Sequence, residues 1–256
     1  MNVLLHGCNG KMGRVMTRLI AAHEVMNVCC GVDVSPASYA NDYPVYSGLD
    51  DVTGRPDVLI DFSHHSCLDN LLAYATKSKV PLVICTTGFS DAEKQQMMQA
   101  STSLPLLHSS NMSLGVNLLV SLVSQAAALL YDSFDIEVIE RHHNQKLDAP
   151  SGTALMLIDS IRQSLDQRLD TVHGRHSKNQ RRTKHEIGVH ALRGGGIVGQ
   201  HDVVFAGQGE VIEISHSALS RDVFGHGAIR AAEFVVSCRP GFYTMKHVIE
   251  AARTRS

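Results

Sequence analysis

Over residues 1–112, short apolar runs alternate with helical periodicities. Val3-Leu4-Leu5 reads as a strand, after which Met12, Val15, Met16, Leu19 and Ile20 recur at i, i+3, i+4, i+7 and i+8, one face of a helix. Val25 to Val32 and Asp57 to Phe62 are strand-like, and the second is followed by a helical face of Leu68, Leu71, Leu72 and Ala75. Pro81 to Cys85 and Leu104 to Leu107 complete the run of strands, with a Met-rich helix between them. Continuous apolar strands alternating with helices predict a parallel sheet covered on both faces, hence a doubly wound α/β domain.

The pattern then changes. A long apolar helix (Leu114 to Leu130) leads to a strand at Asp135 to Glu140 and a polar turn. A helix with Ala154, Leu155, Ile158, Ile161 and Leu165 on one face follows. Beyond the basic stretch Gly174 to Lys184, three strands run without helices between them: Glu186 to Leu192, His201 to Ala206 and Glu210 to His216. Gly207-Gln208-Gly209 is placed to close a hairpin between the last two. This is an α+β region with a mixed, largely antiparallel sheet. Gly227 to Arg253 reads as a terminal helical stretch.

Composition narrows the function. With 23 basic against 25 acidic residues in 256, no basic footprint for nucleic acid is present. No apolar run reaches the ~20 residues of a membrane span, and the start MNVLLHGCNG reads as a first strand rather than a signal peptide. The six scattered cysteines form no CxxC pair, so reduced core thiols in a cytoplasmic protein are expected. Fifteen histidines occur without an HExxH or a cysteine cluster, so no metal site is expected, and no G-x-S-x-G elbow points to a serine hydrolase. The basic stretch (Arg175, Lys178, Arg181, Arg182, Lys184) is expected to be a solvated, mobile loop; an anion-attracting rim is the alternative.

Two stretches carry chemistry. Gly7-Cys8-Asn9-Gly10-Lys11-Met12-Gly13 lies between the first strand and first helix, spaced GxxGxxG with Asn9 in the place of the usual second glycine. A tight turn at Gly7, amides at a helix N-terminus and close packing at Gly13 suit a pyrophosphate. Asp33 ends the second strand 20 positions after Gly13, where a carboxylate can accept the ribose hydroxyls of the adenosine. It would repel a 2′-phosphate, and Val34 beside it offers no cation, so NADH is expected to serve at least as well as NADPH. In the second stretch, Glu137 to Ala154, His142 and His143 adjoin at a strand end, Lys146 lies in the turn, and Pro150-Ser151-Gly152-Thr153 opens a helix. Ser151 is a candidate N-cap and the Gly152 and Thr153 amides a candidate carboxylate nest. A histidine, a lysine and an anion nest suggest acid/base work on an anionic small molecule; a polar turn with solvated side chains is the plainer alternative.

That 18-residue stretch closely resembles the signature of the dihydrodipicolinate (4-hydroxy-tetrahydrodipicolinate) reductases of the lysine and diaminopimelate pathway. Further resemblances run in order: Gly7 to Gly13, Asp57 to Ser63, Thr86-Thr87-Gly88-Phe89, Asn111 to Gly115 and Arg221 to Gly227. The resemblance implies a Rossmann-like dinucleotide-binding domain from residues 1–112 and 222–256, and a substrate-binding and oligomerisation domain from 113–221. It implies His142 as general acid/base and Lys146 as second proton donor, with His143, Lys146 and the Gly152 and Thr153 amides on the carboxylates of a dicarboxylate substrate. The segments Gly7, Cys8, Asn9, Gly10, Lys11 and Met12, then Asp33, then Cys85, Thr86 and Thr87, and Ser109, Ser110, Asn111 and Met112 would line NADH or NADPH. A homotetramer whose domains close over substrate is also implied. Departures are Cys85 where the family often has Gly, Met112 where it often has Phe, and His64-His65 after the Asp-Phe-Ser run. A related nicotinamide-dependent dehydrogenase such as an aspartate dehydrogenase, or a dinucleotide-sensing module without catalysis, would share much of this pattern.

Overall fold

The computed structural model describes residues 1–253. The chain divides into two compact units, one of residues 1–114 with the segment from Arg221 onward, the other of Gly115–Ser220.

The first unit is built on strands β1 (Asn2–His6), β2 (Asn27–Val32), β3 (Val45–Tyr46), β4 (Val58–Asp61), β5 (Leu82–Ile84), β6 (Pro105–His108) and β12 (Gly241–Tyr243). They form one sheet of order β12-β6-β5-β4-β1-β2-β3, parallel at every pairing. Residue alternation sends the strands' side chains into two cores. Val3, Leu5, Val58, Ile60, Val83 and Leu107 join Met16 and Ile20 of α1 (Lys11–Ala21) and Ala228, Ala231 and Val235 of α6 (Asp222–Val235). Leu4, Leu59, Leu82, Ile84 and Leu106 face the other way, onto Leu68, Leu71 and Ala75 of α2 (Leu68–Ser78) and Met97 of α3 (Asp91–Ala100). Both faces are therefore covered, which explains why these strands carry no polar alternation. Each fully buried Leu or Ile contributes roughly 1.5–3 kcal/mol.

The sheet order reverses between β1 and β4, and the crevice beyond the carboxyl ends at such a reversal is where doubly wound sheets bind ligands. The helical stretch expected over 227–253 is in fact two helices, α6 and α7 (Met245–Arg253), separated by β12, which pairs with β6 at the sheet edge. β5 is as short but is a fully buried apolar run, whereas the residues of β12 are only half-buried and leave no such run to read; its partner defines it. The two-residue β3 escapes notice for the same reason.

The second unit contains α4 (Leu114–Leu130, its first residue excepted), β7 (Asp135–His142), α5 (Gly152–Gln163), β8 (Asp170–His173), β9 (Glu186–Arg193), β10 (Gly199–Ala206) and β11 (Val211–Ala218). Its sheet runs β11-β10-β7-β9-β8 and is mixed. The antiparallel pairings are β11-β10 and β10-β7, and the parallel ones β7-β9 and β9-β8, so the sheet is less antiparallel than expected. The unrecognised β8 is one cause; the other is that α5 acts as a crossover returning the chain parallel to β7. Gly207 donates to the Glu210 carbonyl at 2.9 Å in the β10-β11 hairpin.

The basic stretch is exposed from Arg175 to Arg181, as a solvated loop would be, but it is anchored to the sheet beneath it. It is the connection that turns β8 parallel to β9, and three of its five cations are tied down. Arg175 pairs with Glu137 and Glu186 at 2.7 Å each. Arg182 reaches Asp135 at 2.8 Å and Glu137 at 3.1 Å and donates to the Ile136 and Glu186 carbonyls. Lys184 donates to the carbonyls of Tyr131 and Phe134. Among the described residues, no helix is long and apolar enough to cross a membrane, and no group of three or more His, Cys, Asp or Glu is placed to hold a metal.

Candidate active site

In the first unit the glycine-rich turn is shaped by backbone contact. Gly7 has φ +75°, and a Cβ there would lie 2.6 Å from the Phe62 carbonyl oxygen. Its N–H and that of Cys8 donate to the Val32 carbonyl, and the Asn9 N–H donates to Asp33 Oδ2 at 2.9 Å. These amides shape the loop and are already used. The amides left without a partner among the described residues are those of the first turn of α1, Lys11, Met12 and Gly13, because no side chain caps the helix. They suit an anion, since unpaired N–H groups and the helix dipole act together there.

Asp33 also accepts from the Ser35 N–H at 2.9 Å, so it orders the loop after β2 while keeping lone pairs for a further donor. The Asn9 amide group donates to the Ser35 carbonyl at 2.8 Å, which gives a physical reason for asparagine at that position. Cys8 is fully buried, and its thiol is pushed up to about 11 by burial and then by the Asp33 charge. The whole residue is 0% exposed and its N–H is already bonded to Val32, so Cys8 packs in the core and does not offer the cofactor contact expected of it.

Beside this turn is a cavity of about 440 Å³, bounded by Lys11 and Met12, the segment 62–65, and Cys85, Thr86 and Thr87. Under it lies a network that the pattern of the sequence does not reveal. His6 Nδ1 meets Asp61 Oδ1 at 2.8 Å, Ser63 Oγ donates to the same oxygen at 2.6 Å, and Thr86 Oγ1 donates to Asp61 Oδ2 at 2.7 Å. His6 and Asp61 end the neighbouring strands β1 and β4 in register, so the sheet brings them together. Ser109, Ser110, Asn111 and Met112 follow β6 and do not bound the cavity. Ser109 Oγ donates to the Asn111 carbonyl at 2.8 Å. Met112 is 3% exposed and packs in the core, so its side chain faces away from any ligand and its difference from Phe is a packing matter.

In the second unit the site grows out of β7. Burial alternates strictly along it, with Ile136, Val138, Glu140 and His142 inward. Register then places Arg193 of β9 beside His142 and His201 of β10 beside Glu140. Glu140 is fully buried and accepts four hydrogen bonds: His142 Nδ1 at 2.6 Å, two Arg193 nitrogens at 2.7 and 2.8 Å, and the Ser151 N–H at 2.9 Å. Burial alone would raise its carboxyl, but these partners, Arg193 first, hold it below the usual carboxylate range. His142 is lowered, chiefly by burial; Glu140 opposes that, while the Lys146 and Arg193 charges add to it.

Ser151 caps α5 through its Oγ, which accepts from the Ala154 N–H at 3.2 Å and meets His201 Nε2 at 3.0 Å. Gly152 and Thr153 are the first two residues of that helix. Lys146 pairs with Asp148 at 2.8 Å, and the Lys146 N–H closes a turn onto the His143 carbonyl. The Nδ1 of His143 is buried with no partner. Glu140, Arg193 and His201 were not singled out from sequence; only Glu140, two positions before His142 on a strand, left a signal there.

His201 is 4% exposed, and burial, then the neighbouring His142, lowers it from 6.5 to about 4. Between those values the unfolded chain binds a proton that the folded chain refuses. Its contribution to stability is therefore intact above pH 6.5 and falls by about 3 kcal/mol as the pH drops to 4. Urea unfolding at pH 7.5 and 4.5 checks this: His201→Gln should lose less stability on acidification than the parent. Equal losses would show that His201 carries no such linkage.

An all-parallel sheet with a glycine-opened first crossover in one unit and a mixed sheet in the other give the chain a two-unit α/β fold. Myo-inositol dehydrogenase of Corynebacterium glutamicum shares this fold, with TM-score 0.62 and 15% identity over 94% of this chain and 90% of that one. The particular family is narrower. The N-terminal and C-terminal models of dihydrodipicolinate reductase match residues 1–112 and 115–249, and the chain belongs to that family. The chain is 50% identical to the 4-hydroxy-tetrahydrodipicolinate reductase of Caldanaerobacter subterraneus subsp. tengcongensis, over 97% of this chain and 98% of the relative. It is also similar to the dipicolinate-bound dihydrodipicolinate reductase of Paenisporosarcina sp. TG-14, with TM-score 0.79 and 27% identity over 95% and 97% of the two chains.

Proposed function

We propose that the chain uses NADH or NADPH to reduce 4-hydroxy-2,3,4,5-tetrahydrodipicolinate, after loss of water, to 2,3,4,5-tetrahydrodipicolinate in lysine and diaminopimelate biosynthesis. The observation that carries this reading is the His142–Glu140 pair at 2.6 Å, set at the end of β7 in a chain whose whole length matches the reductase family. The first unit is the dinucleotide-binding domain. The Lys11–Gly13 amides suit the pyrophosphate, Asp33 the adenosine ribose, and the cavity beside Thr86 and Thr87 the nicotinamide end.

When bound, the reduced nicotinamide supplies a hydride to C4 of the dehydrated, conjugated substrate. His142 then places a proton on the neighbouring carbon from Nε2, the nitrogen that Glu140 leaves uncovered. Lys146, His143 and the Gly152 and Thr153 amides hold the two carboxylates, so the substrate's negative charge replaces Asp148 as the partner of Lys146. The second unit is thereby the substrate-binding domain. A homotetramer fits it: Leu118, Leu122 and Leu129 lie exposed along one stripe of α4, the last at 82%.

The test is oxidation of NADH and of NADPH with substrate generated from pyruvate and aspartate semialdehyde by the preceding synthase. Substrate-dependent loss of reduced-nicotinamide absorbance is expected; none, from protein that still binds NADH, would favour the sensing module or another dehydrogenase. In the same assay the KM for NADH should be no larger than that for NADPH, because Asp33 meets the 2′ position. A tenfold preference for NADPH would overturn that assignment of Asp33.

A further inference from the structure

The buried carboxylate of the second unit is assigned no part in holding substrate or cofactor, yet it accepts four hydrogen bonds. Its four hydrogen bonds come from three directions: β7 itself through His142, β9 through the Arg193 fork, and the start of α5 through the Ser151 amide. Such an arrangement leaves the carboxylate one orientation. Arg193 is itself braced, since it also donates to the Leu192 and Asp148 carbonyls. The imidazole bound to this carboxylate is engaged through Nδ1, which leaves Nε2 on the far side of the ring. The space at Nε2 is kept by Gly199, where a Cβ would lie 3.1 Å from that nitrogen.

We propose that Glu140, clamped by Arg193 and the Ser151 amide, is the positioning residue that holds His142 with Nδ1–H turned inward and Nε2 presented to substrate. This rests on the assignment of His142 as the proton donor. An ionised acceptor can take only the Nδ1 proton, so the neutral imidazole is held in the tautomer whose Nε2 lone pair is open, and the imidazolium carries its second proton at Nε2. Arg193 has a second effect: it neutralises Glu140, so the carboxylate orients the ring without retaining the proton too firmly to give away. The groups facing His142 are Glu140 on its own strand, Arg193 from β9, the edge of His201 from β10 at 5.1 Å between ring centroids, and Lys146 from the turn. His216 of β11 lies beyond, in register with His201. Only Glu140 among them favours the imidazolium.

The experiment combines kinetics with ¹⁵N-histidine NMR on the full chain, the His142 signals assigned by their loss in His142→Gln. In the parent, neutral His142 should carry its proton on Nδ1. Glu140→Gln keeps shape and an acceptor but removes the charge. The His142 midpoint should move down, and kcat should fall ~10²-fold, the low end of general-acid help, with KM changed less than about threefold. Arg193→Gln should move the midpoint up instead. If that variant does not fold, Glu140→Gln/Arg193→Gln, which buries no lone charge, should fold and match the Glu140→Gln rate. Opposite displacements are a signature that a merely structural pair would not produce. A proton on Nε2 in the neutral parent, or an unchanged midpoint and kcat in Glu140→Gln, would overturn the proposal. A parent that oxidises no NADH would instead remove the reductase reading, and the NMR arm would still decide the positioning.

Discussion

His142→Gln should lower kcat by ~10²–10⁴, the usual range for a lost general acid/base, while the affinity for NADH stays within about twofold. The two halves of this expectation have separate causes. His142 lies inward on β7 with Nδ1 on Glu140 at 2.6 Å, so it belongs to the second unit's site. The groups proposed to hold the dinucleotide belong to the first unit, at the start of α1 and around the 440 Å³ cavity. Glutamine retains a polar side chain near Glu140 but has no proton to give near neutral pH. Stopped-flow single-turnover reduction with pre-bound NADH separates the steps. A full rate in the variant would remove His142 from the chemistry, and a lost NADH affinity would show that the substitution acted through the fold.

Gly13→Ala is expected to be the most damaging conservative change in the first unit. Its Cβ would lie 2.2 Å from the Gly7 carbonyl oxygen and 2.4 Å from that of Cys8, both backbone atoms. The turn cannot give way easily, because the Gly7 N–H is bonded to Val32 at 2.8 Å and Gly7 sits where even a Cβ would lie 2.6 Å from the Phe62 carbonyl oxygen. Alanine is the better helix former by about 1 kcal/mol, but the overlap costs more: about 2–3 kcal/mol net, a fall in Tm of about 4–12 °C. NADH affinity should fall at least about tenfold, since α1 must move from its anion-facing position. Gly10→Ala is the control. Its Cβ would have one contact, 3.2 Å from the Gly7 oxygen, and the change should cost less than about 0.5 kcal/mol. Calorimetry and a fluorescence titration decide this, and equal behaviour of the two variants would contradict the packing argument.

The covering helices of the first sheet were legible because their faces repeat at 3.6 residues, as in Met12 to Ile20, and because its strands are unbroken apolar runs. Strands β3, β8 and β12 were not, since they are half-buried or exposed and lack the apolar run that marks the equally short β4 and β5, so only their partners define them. The anchoring of the exposed basic stretch was hidden for a related reason. Arg175 and Arg182 look solvated until β7 and β9 bring Glu137 and Glu186 beside them.

Local chemistry along the chain was enough to mark the glycine turn, Asp33, the His142–Lys146 segment and the Ser151 cap, because each is a contiguous run whose spacing matches a strand end or a helix start. Tertiary structure alone decided what surrounds them. Glu140 is related to His142 by the two-residue period of one strand, but Arg193 and His201 come 51 and 59 positions after His142 and meet it only through the register of β7 with β9 and β10. In the same way His6 and Asp61 meet because β1 and β4 are neighbours, far apart as they are in sequence. Periodicity reports which face of an element a residue occupies; it carries no information on which other element that face will meet, and hydrogen-bond register between strands supplies that.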